Sequence, residues 1–198
     1  MATTILLIRH AAHAHVGQIL TGRMEGIGLS REGQVQAGRL AHRLQDDPLE
    51  AIHTSPSLRT RQTALMLAEG RGSEPVISEA VSEVDFGEWT GRSFAELDRD
   101  PRWKHWNRQR GSAQAPGGET MVQVQQRAWE HLTRITQQFG DAVVAVVTHC
   151  DLIRAVVAKV LGLPLDNLQR FDIDPASISR IVMGHWGARV VGLNECPA

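Results

Sequence analysis

Short, wholly apolar runs alternate along the chain with longer stretches of helical spacing. Ile5 to Ile8 is a continuous run of leucine and isoleucine flanked by polar residues, the pattern of a strand buried on both faces of a parallel sheet. Ser30 then stands as an N-cap ahead of Leu40, Ala41 and Leu44 at helical spacing, completing a first β-loop-α unit. Ala51 to Thr54 is a short second strand, and Ser57 to Glu69 a second helix stopped by Gly70. Val76 to Ser78 reads as a weak third strand. From Glu88 to Gly118 the periodicity fades, and Trp89, Trp103 and Trp106 lie among Arg99, Arg102, Lys104, Arg108 and Arg110. A Ser93/Glu96 capping box predicts a short helical cap there, followed by a loop through Pro116-Gly117-Gly118.

Thr120 with Gln123 is a second capping-box signal and predicts a long helix to about Gln138. Ala142 to Thr148, AVVAVVT, is the strongest strand signal and, like the first, has no polar face. Asp151 is placed to cap a helix over Leu152 to Leu161, which Gly162 ends with Pro164 beyond. Ile178 to Met183 and Arg189 to Leu193 are late strands, joined by a hairpin across His185 to Ala188. Strands alternating with helices imply an α/β fold: a three-layer αβα sandwich with a mostly parallel central sheet and a short helical cap insertion at about 88–118. One domain over 1–198 is the expected organisation for 198 residues, with ligands at the carboxyl ends of the strands.

Composition narrows the function classes. With 42% apolar and 22% charged residues, a mostly disordered or fibrous chain is excluded. Lys+Arg 21 against Asp+Glu 22 leaves a net charge of −1, so no global field drives binding to nucleic acid or an anionic membrane, and neither is an expected partner. The apolar run in MATTILLIRH is too short for a signal peptide core or a membrane span. Cys150 and Cys196 sit in no metal-ligand spacing and suggest no disulfide framework, so a cytoplasmic location is expected. Any anion site must be local.

The strand ends carry the chemistry. The two most apolar strands end in Ile8-Arg9-His10 and Val147-Thr148-His149, and the second in His53-Thr54-Ser55 with Arg59 and Arg61 in the following helical turn. Two histidines and one or two arginines converging on one sheet edge form a small cationic pocket. Its natural guest is a phosphoryl group, because arginine gives bidentate hydrogen bonds to phosphate oxygens and helix N-termini add backbone donors. A lone strand-end histidine is more often a satisfied hydrogen-bonding residue than a catalyst, and Arg61 reads as a solvated or ion-paired side chain; it is the pairing of Arg-His with a second strand-end histidine that points to a site. His13, His15, His42, His53, His105, His131 and His185 read mostly as surface or packing residues.

With these residues in view the chain resembles the histidine phosphatase superfamily, which includes the cofactor-dependent phosphoglycerate mutases. Four motifs in order carry the resemblance: LLIRHAAHAH, HTSPSLRTRQTA, EVDFGEWTG and VVTHCDLIRAV. It implies His10 as nucleophile, Arg9 as a phosphate-binding arginine, Glu83 as proton donor and His149 as the second active-site histidine. Aligning Gln62-Thr63-Ala64 with the family puts the second phosphate arginine at Arg59 rather than Arg61. Thr21 and Gly22 carry over as backbone donors, with Arg23 and Cys150 as further substrate-binding residues. Ala11 and Cys150 stand where the family has glycine, so a requirement for positive φ there would be strained. The Asn found in the family's loop after the nucleophile is missing, with His15 and Val16 nearby.

The resemblance implies a metal-independent phosphatase, histidine acid phosphatase-like, that hydrolyses small phosphomonoesters through a phosphohistidine and needs no cofactor. Neutral His10 would attack phosphorus while Arg9, Arg59 and protonated His149 neutralise the equatorial oxygens. Glu83, partly protonated near neutrality, would serve the leaving oxygen, with Asp85 and Glu88 as rivals. The partner is then a small phosphorylated metabolite; oligomeric state has no readable signal. A phosphoglycerate mutase-type phosphomutase is the alternative, but the segment before the second histidine is compact and carries Pro-Gly-Gly-Glu-Thr, as in phosphatase branches where the region of Glu119 approaches substrate. A third reading is a non-catalytic phospho-ligand binding protein. The cap tryptophans and basic residues would either receive a ring and a second anionic group or form core under a solvated basic face.

Overall fold

The computed structural model describes residues 1–197. Strands β1 (Ala2–Arg9), β2 (Leu49–Thr54), β3 (Val76–Ile77), β4 (Val143–Thr148), β5 (Ile178–Gly184) and β6 (Gly187–Glu195) form one sheet in the order β3-β2-β4-β1-β5-β6. The β1·β4, β2·β4 and β2·β3 pairs are parallel, and the β1·β5 and β5·β6 pairs antiparallel. The two runs without a polar face take the centre. Their register, Ile5 opposite Val144 and Leu6 opposite Ala145, sends alternate pairs into two cores. On one side, α1 (Arg31–Arg43) and α2 (Leu58–Ala68) bring Ala37, Leu40, Leu44, Ala64 and Leu67 onto Leu6, Ile8, Ala145 and Val147. On the other, helices over Met121–Phe139 and Cys150–Leu161 cover Ile5, Leu7, Val144 and Val146. Such three-layer burial, worth about 1.5–3 kcal/mol per enclosed aliphatic side chain, is what makes a continuous apolar run a central strand.

Local signals act as expected at most helix ends. Ser30 Oγ accepts the Gly33 N–H at 3.0 Å. A Cβ at Gly33 would run into the Ala12 carbonyl, so glycine lets α1 approach the loop after β1. Both capping boxes close, at Ser93/Glu96 and Thr120/Gln123, and Gly162 ends the Cys150–Leu161 helix in the left-handed region at φ 66°. Asp151 does not cap that helix. It lies inside the first turn with His149 at the N-cap, and its carboxylate pairs with Arg110 at 2.9 Å. Residues 165–170 form a 3-10 helix that no sequence signal announced.

The cap is two short helices, α3 (Phe94–Leu97) and α4 (Pro101–Arg108), the second started by Asp100 as N-cap with Pro101 behind it. The helices at 121–139 and 150–161 are α5 and α6. Trp89, Trp103 and Trp106 are buried under the cap, with Trp103 stacked on Trp106 at 5.4 Å and edge-on to Trp89 at 5.2 Å. They are therefore core, although Trp103 also reaches the cavity described next.

Candidate active site

A cavity of about 470 Å³ opens at the carboxyl ends of β1 and β4, beneath the cap. Arg9, His10, Thr21, Gly22, Arg59, Glu83 and Cys150 line it. His149 is fully buried behind Arg59, and Arg23 is outside the lining. Seven of the nine predicted site residues therefore face one cavity and an eighth supports it.

His10 sits where β1 ends, with its N–H on the Thr148 carbonyl of β4 at 2.9 Å. Ala176, in the left-handed region at φ 59°, gives its N–H to the carbonyls of Arg9 and His10 at 3.1 and 3.3 Å. An alanine there costs about 1–2 kcal/mol and marks a segment held against strain. In the ring, Arg59 Nε lies 3.2 Å from Nε2. Arginine only donates, so Nε2 carries the lone pair and Nδ1–H donates to the Ala11 carbonyl at 2.8 Å. Burial, then the charges of Arg59 and Arg9, hold His10 well below the usual imidazole range. The imidazole is neutral, and its Nε2 lone pair, which accepts from Arg59, is the one that can act as a base or nucleophile.

Arg59, 1% exposed, also donates through Nη2 to the Gly22 carbonyl at 2.7 Å and to His149 Nδ1 at 3.3 Å. His149 Nε2–H then donates to Ser55 Oγ at 2.9 Å. Burial and the Arg59 guanidinium push His149 well below its ordinary value. In the protein alone those influences favour the neutral ring, whereas the resemblance implies a protonated His149 during phosphoryl transfer. Arg9 donates through Nη1 to the Ile173 carbonyl at 2.6 Å. No described carboxylate lies within 4.0 Å of either arginine, and Arg9 Nε and Arg59 Nη1 are buried without a partner. Two uncompensated cations with idle donors fit an anion with several acceptor oxygens. Arg61, by contrast, is exposed.

Glu83 is 13% exposed in its side chain, with Oε2 3.7 Å from His149 Nδ1 and Oε1 accepting the Val84 N–H at 2.9 Å. Burial, then the nearby Asp151 charge, pushes its carboxyl up to about 7. Neither rival matches this. Asp85, 43% exposed, accepts the Gly87 N–H at 2.9 Å, and Glu88 pairs with Arg102 at the surface.

The remaining predicted residues behave differently. Ala11 and Cys150 are not at positive φ, so replacing glycine strains neither. Burial pushes the Cys150 thiol up to about 11, leaving it a lining group with its Sγ 3.6 Å from the Ile173 carbonyl. Gly22, at φ 47°, contributes the carbonyl that Arg59 binds, where a donor role was expected. Arg23 is corrected from substrate binding to loop support: Nε binds the Glu83 carbonyl at 2.8 Å and Nη2 binds Glu119 at 2.8 Å. Glu119 does not line the cavity either.

Sequence reasoning missed His13 and the outer wall. His13 lines the cavity with its ring 5.5 Å from that of His10, and burial, then Arg59, lowers it to about 4. Arg110 stacks on Trp106 at 3.9 Å and joins Asp151 and Arg154 in the wall. A charged residue directly after Cys150 was the available hint. Among the described residues no three His, Cys, Asp or Glu side chains cluster as a metal set. A neutral imidazole, two guanidiniums that each keep an unpartnered nitrogen and a carboxyl pushed up to about 7 can together move a phosphoryl group.

Comparison with known proteins points the same way. A family model described as the histidine phosphatase superfamily (branch 1) matches residues 5–196. Phosphoserine phosphatase 1 of Hydrogenobacter thermophilus is 31% identical over 195 residues, spanning 96% of this chain and 91% of its own. An acid phosphatase of Mycobacterium tuberculosis is 31% identical over 203 residues, spanning 98% and 94%. The solved structure of mycobacterial glucosyl-3-phosphoglycerate phosphatase matches with a TM-score of 0.88 at 25% identity, over 98% of this chain and all of its own.

Proposed function

Because the chain belongs to the histidine phosphatase superfamily, we propose that His10 is the nucleophile of a phosphomonoester hydrolase that works through a phosphohistidine and without a metal. The observation that carries this is the lone pair of His10 Nε2 beside two arginines, each with a buried nitrogen that finds no hydrogen-bond partner in the protein. In the first step the Nε2–P bond forms as the P–O bond to the leaving group breaks, in line. Glu83 gives its proton to the departing oxygen, while the Nδ1–H bond to Ala11 steadies the positive ring. Glu83, now a carboxylate, takes a proton from water as that oxygen attacks phosphorus and the N–P bond breaks, which restores neutral His10. Arg9 and Arg59 hold the equatorial oxygens throughout. A bound dianion would also favour proton uptake by His149, the reverse of the free site.

The cavity supports a small substrate with one phosphate. Arg9 and Arg59 match a dianion, whereas the outer wall sets Arg110 and Arg154 against Asp98 and Asp151 and is balanced. A group with one cation and one anion, such as the amino-acid part of phosphoserine, or an uncharged polyol suits that wall. The second phosphate of a mutase bisphosphate does not. No described helix is long and apolar enough to cross a membrane. A single cytoplasmic domain acting on a phosphorylated metabolite, without nucleic acid or membrane partner, completes the proposal.

Acid-quenched brief incubation with substrate is expected to trap phosphate on His10 as an acid-labile, base-stable adduct, with chelators leaving the rate unchanged. A label on serine or aspartate, or full turnover in His10→Ala, would overturn the mechanism. Rapid interconversion of 2- and 3-phosphoglycerate with trace bisphosphate would favour the mutase.

A further inference from the structure

The loop carrying Glu83 is held from outside the cavity by three charged side chains. Arg23 Nε at 2.8 Å and Arg127 Nη2 at 3.1 Å both donate to the Glu83 peptide carbonyl. Glu119 holds both guanidiniums: Oε2 accepts from Arg23 Nη2 at 2.8 Å and Arg127 Nη2 at 3.1 Å, and Oε1 from Arg127 Nε at 2.9 Å. Oε2 also accepts the Asp85 N–H at 3.0 Å. The backbones are joined as well, Glu119 N to the Asp85 carbonyl and Glu88 N to the Pro116 carbonyl, both at 2.9 Å. A Cβ at Gly87 would run into the Pro116 carbonyl and one at Gly118 into that of Asp85, so both glycines are needed for this approach. Burial works against the Glu119 charge, but Arg127 and the Asp85 N–H hold its carboxyl below the usual glutamate range.

None of Arg23, Arg127 and Glu119 lines the cavity. An effect on chemistry must therefore pass through the residue they grip. We propose that Glu119, with Arg23 and Arg127, is a positioning residue that fixes the Glu83 main chain so that its carboxyl stays inside the cavity, beside His149. The inference rests on Glu83 as proton donor. Misplacing a reacting group by about 1 Å can cost on the order of 10²-fold in rate.

The test compares the phosphorylation burst on glycerol phosphate and on p-nitrophenyl phosphate, whose leaving group needs little protonation. Glu119→Ala is expected to lower the burst on glycerol phosphate by roughly 10–100-fold and that on p-nitrophenyl phosphate far less. It should also move the basic limb of the glycerol phosphate profile to lower pH, because a released carboxyl meets water. In the Glu83→Gln background the same substitution should add nothing. Glu119→Gln, which keeps an acceptor, should recover part of the loss. Should Glu119→Ala fold poorly, Arg23→Gln removes one of the two donors from the half-exposed side and should show the same selectivity in smaller measure. Equal losses on both substrates that still add to Glu83→Gln would overturn the inference, leaving the tether structural. If Glu83→Gln alone fails to discriminate the substrates, the reading of Glu83 falls and this inference with it.

Discussion

Raising the pH through 7 titrates one group in the cavity that must carry a proton, Glu83. Burial, then Asp151, pushes its carboxyl up to about 7, while His10 and His149 titrate well below the usual imidazole range. With a carboxyl near 7, the protonated share of Glu83 falls about fivefold from pH 7 to 8 and about tenfold per unit beyond, and phosphorylation assisted by it should fall with it. Below about 6 the rate should be level, since burial and the two arginines keep His10 unprotonated well below the usual imidazole range. The assay is the rate of His10 phosphorylation at subsaturating substrate, which reads the groups of the free protein, with the substrate's own ionisation near pH 6 divided out of the profile. Steady-state turnover would not serve, because Glu83 acts as base in the second step. Glycerol phosphate should show the limb and p-nitrophenyl phosphate little of it. Glu83→Gln should lower the glycerol phosphate burst by about 10²–10⁴-fold and abolish its limb. Asp151→Asn removes the second cause and should move the limb to lower pH. Identical limbs on both substrates, a limb surviving in Glu83→Gln, or movement to higher pH in Asp151→Asn would refute this assignment.

Two further expectations concern stability. His53 and His131 pack edge-on at 5.1 Å, both His53 nitrogens lack partners, and burial lowers His53 and brings His131 to about 4. Their folded values lie below the unfolded 6.5, so the unfolded chain binds more protons. Stability should be full above about 6.5 and decline as pH falls toward 4, by about 1–2 kcal/mol for His131 after solvent screening. Urea unfolding against pH checks it: His131→Gln should flatten the slope, and an unchanged slope would contradict the assignment. Trp106→Ala should cost about 3–5 kcal/mol and weaken substrate binding, since the indole supports both Trp103 and Arg110; a loss below about 1 kcal/mol in the same unfolding assay would contradict its place in the core.

The legible parts of the chain were those fixed by local or layer-wide physics. β1 and β4 have no polar face because helices cover both sides, and the capping boxes at Ser93 and Thr120 satisfy their own helix ends. The residues at the ends of β1 and β4 were legible for the same reason: a central strand delivers its last side chain to a known place. Partners chosen across the fold were not. Asp151 reads as a cap until Arg110, distant in sequence, takes its carboxylate. Arg23 reads as a substrate contact until Glu119 draws it outward. His13 and His15 lie in one loop, and only the fold turns the first into the cavity.

The protonation states of His10 and Glu83 share their largest cause. Arg9 and Arg59 lower both His10 and Glu83, so the guanidiniums alone would give a neutral histidine and an ionised, useless acid. Desolvation is the only influence that moves a base down and a carboxylic acid up together, and it is the largest for each. At neutrality it leaves His10 with a free lone pair and Glu83 with a share of the proton that the first step needs. Part of the apolar wall that limits water comes from the cap, where Trp103 lines the cavity and Trp106 backs Arg110. Loosening that packing would raise His10 and lower Glu83 at once, so the cap bears on acid-base chemistry even though none of its tryptophans titrates.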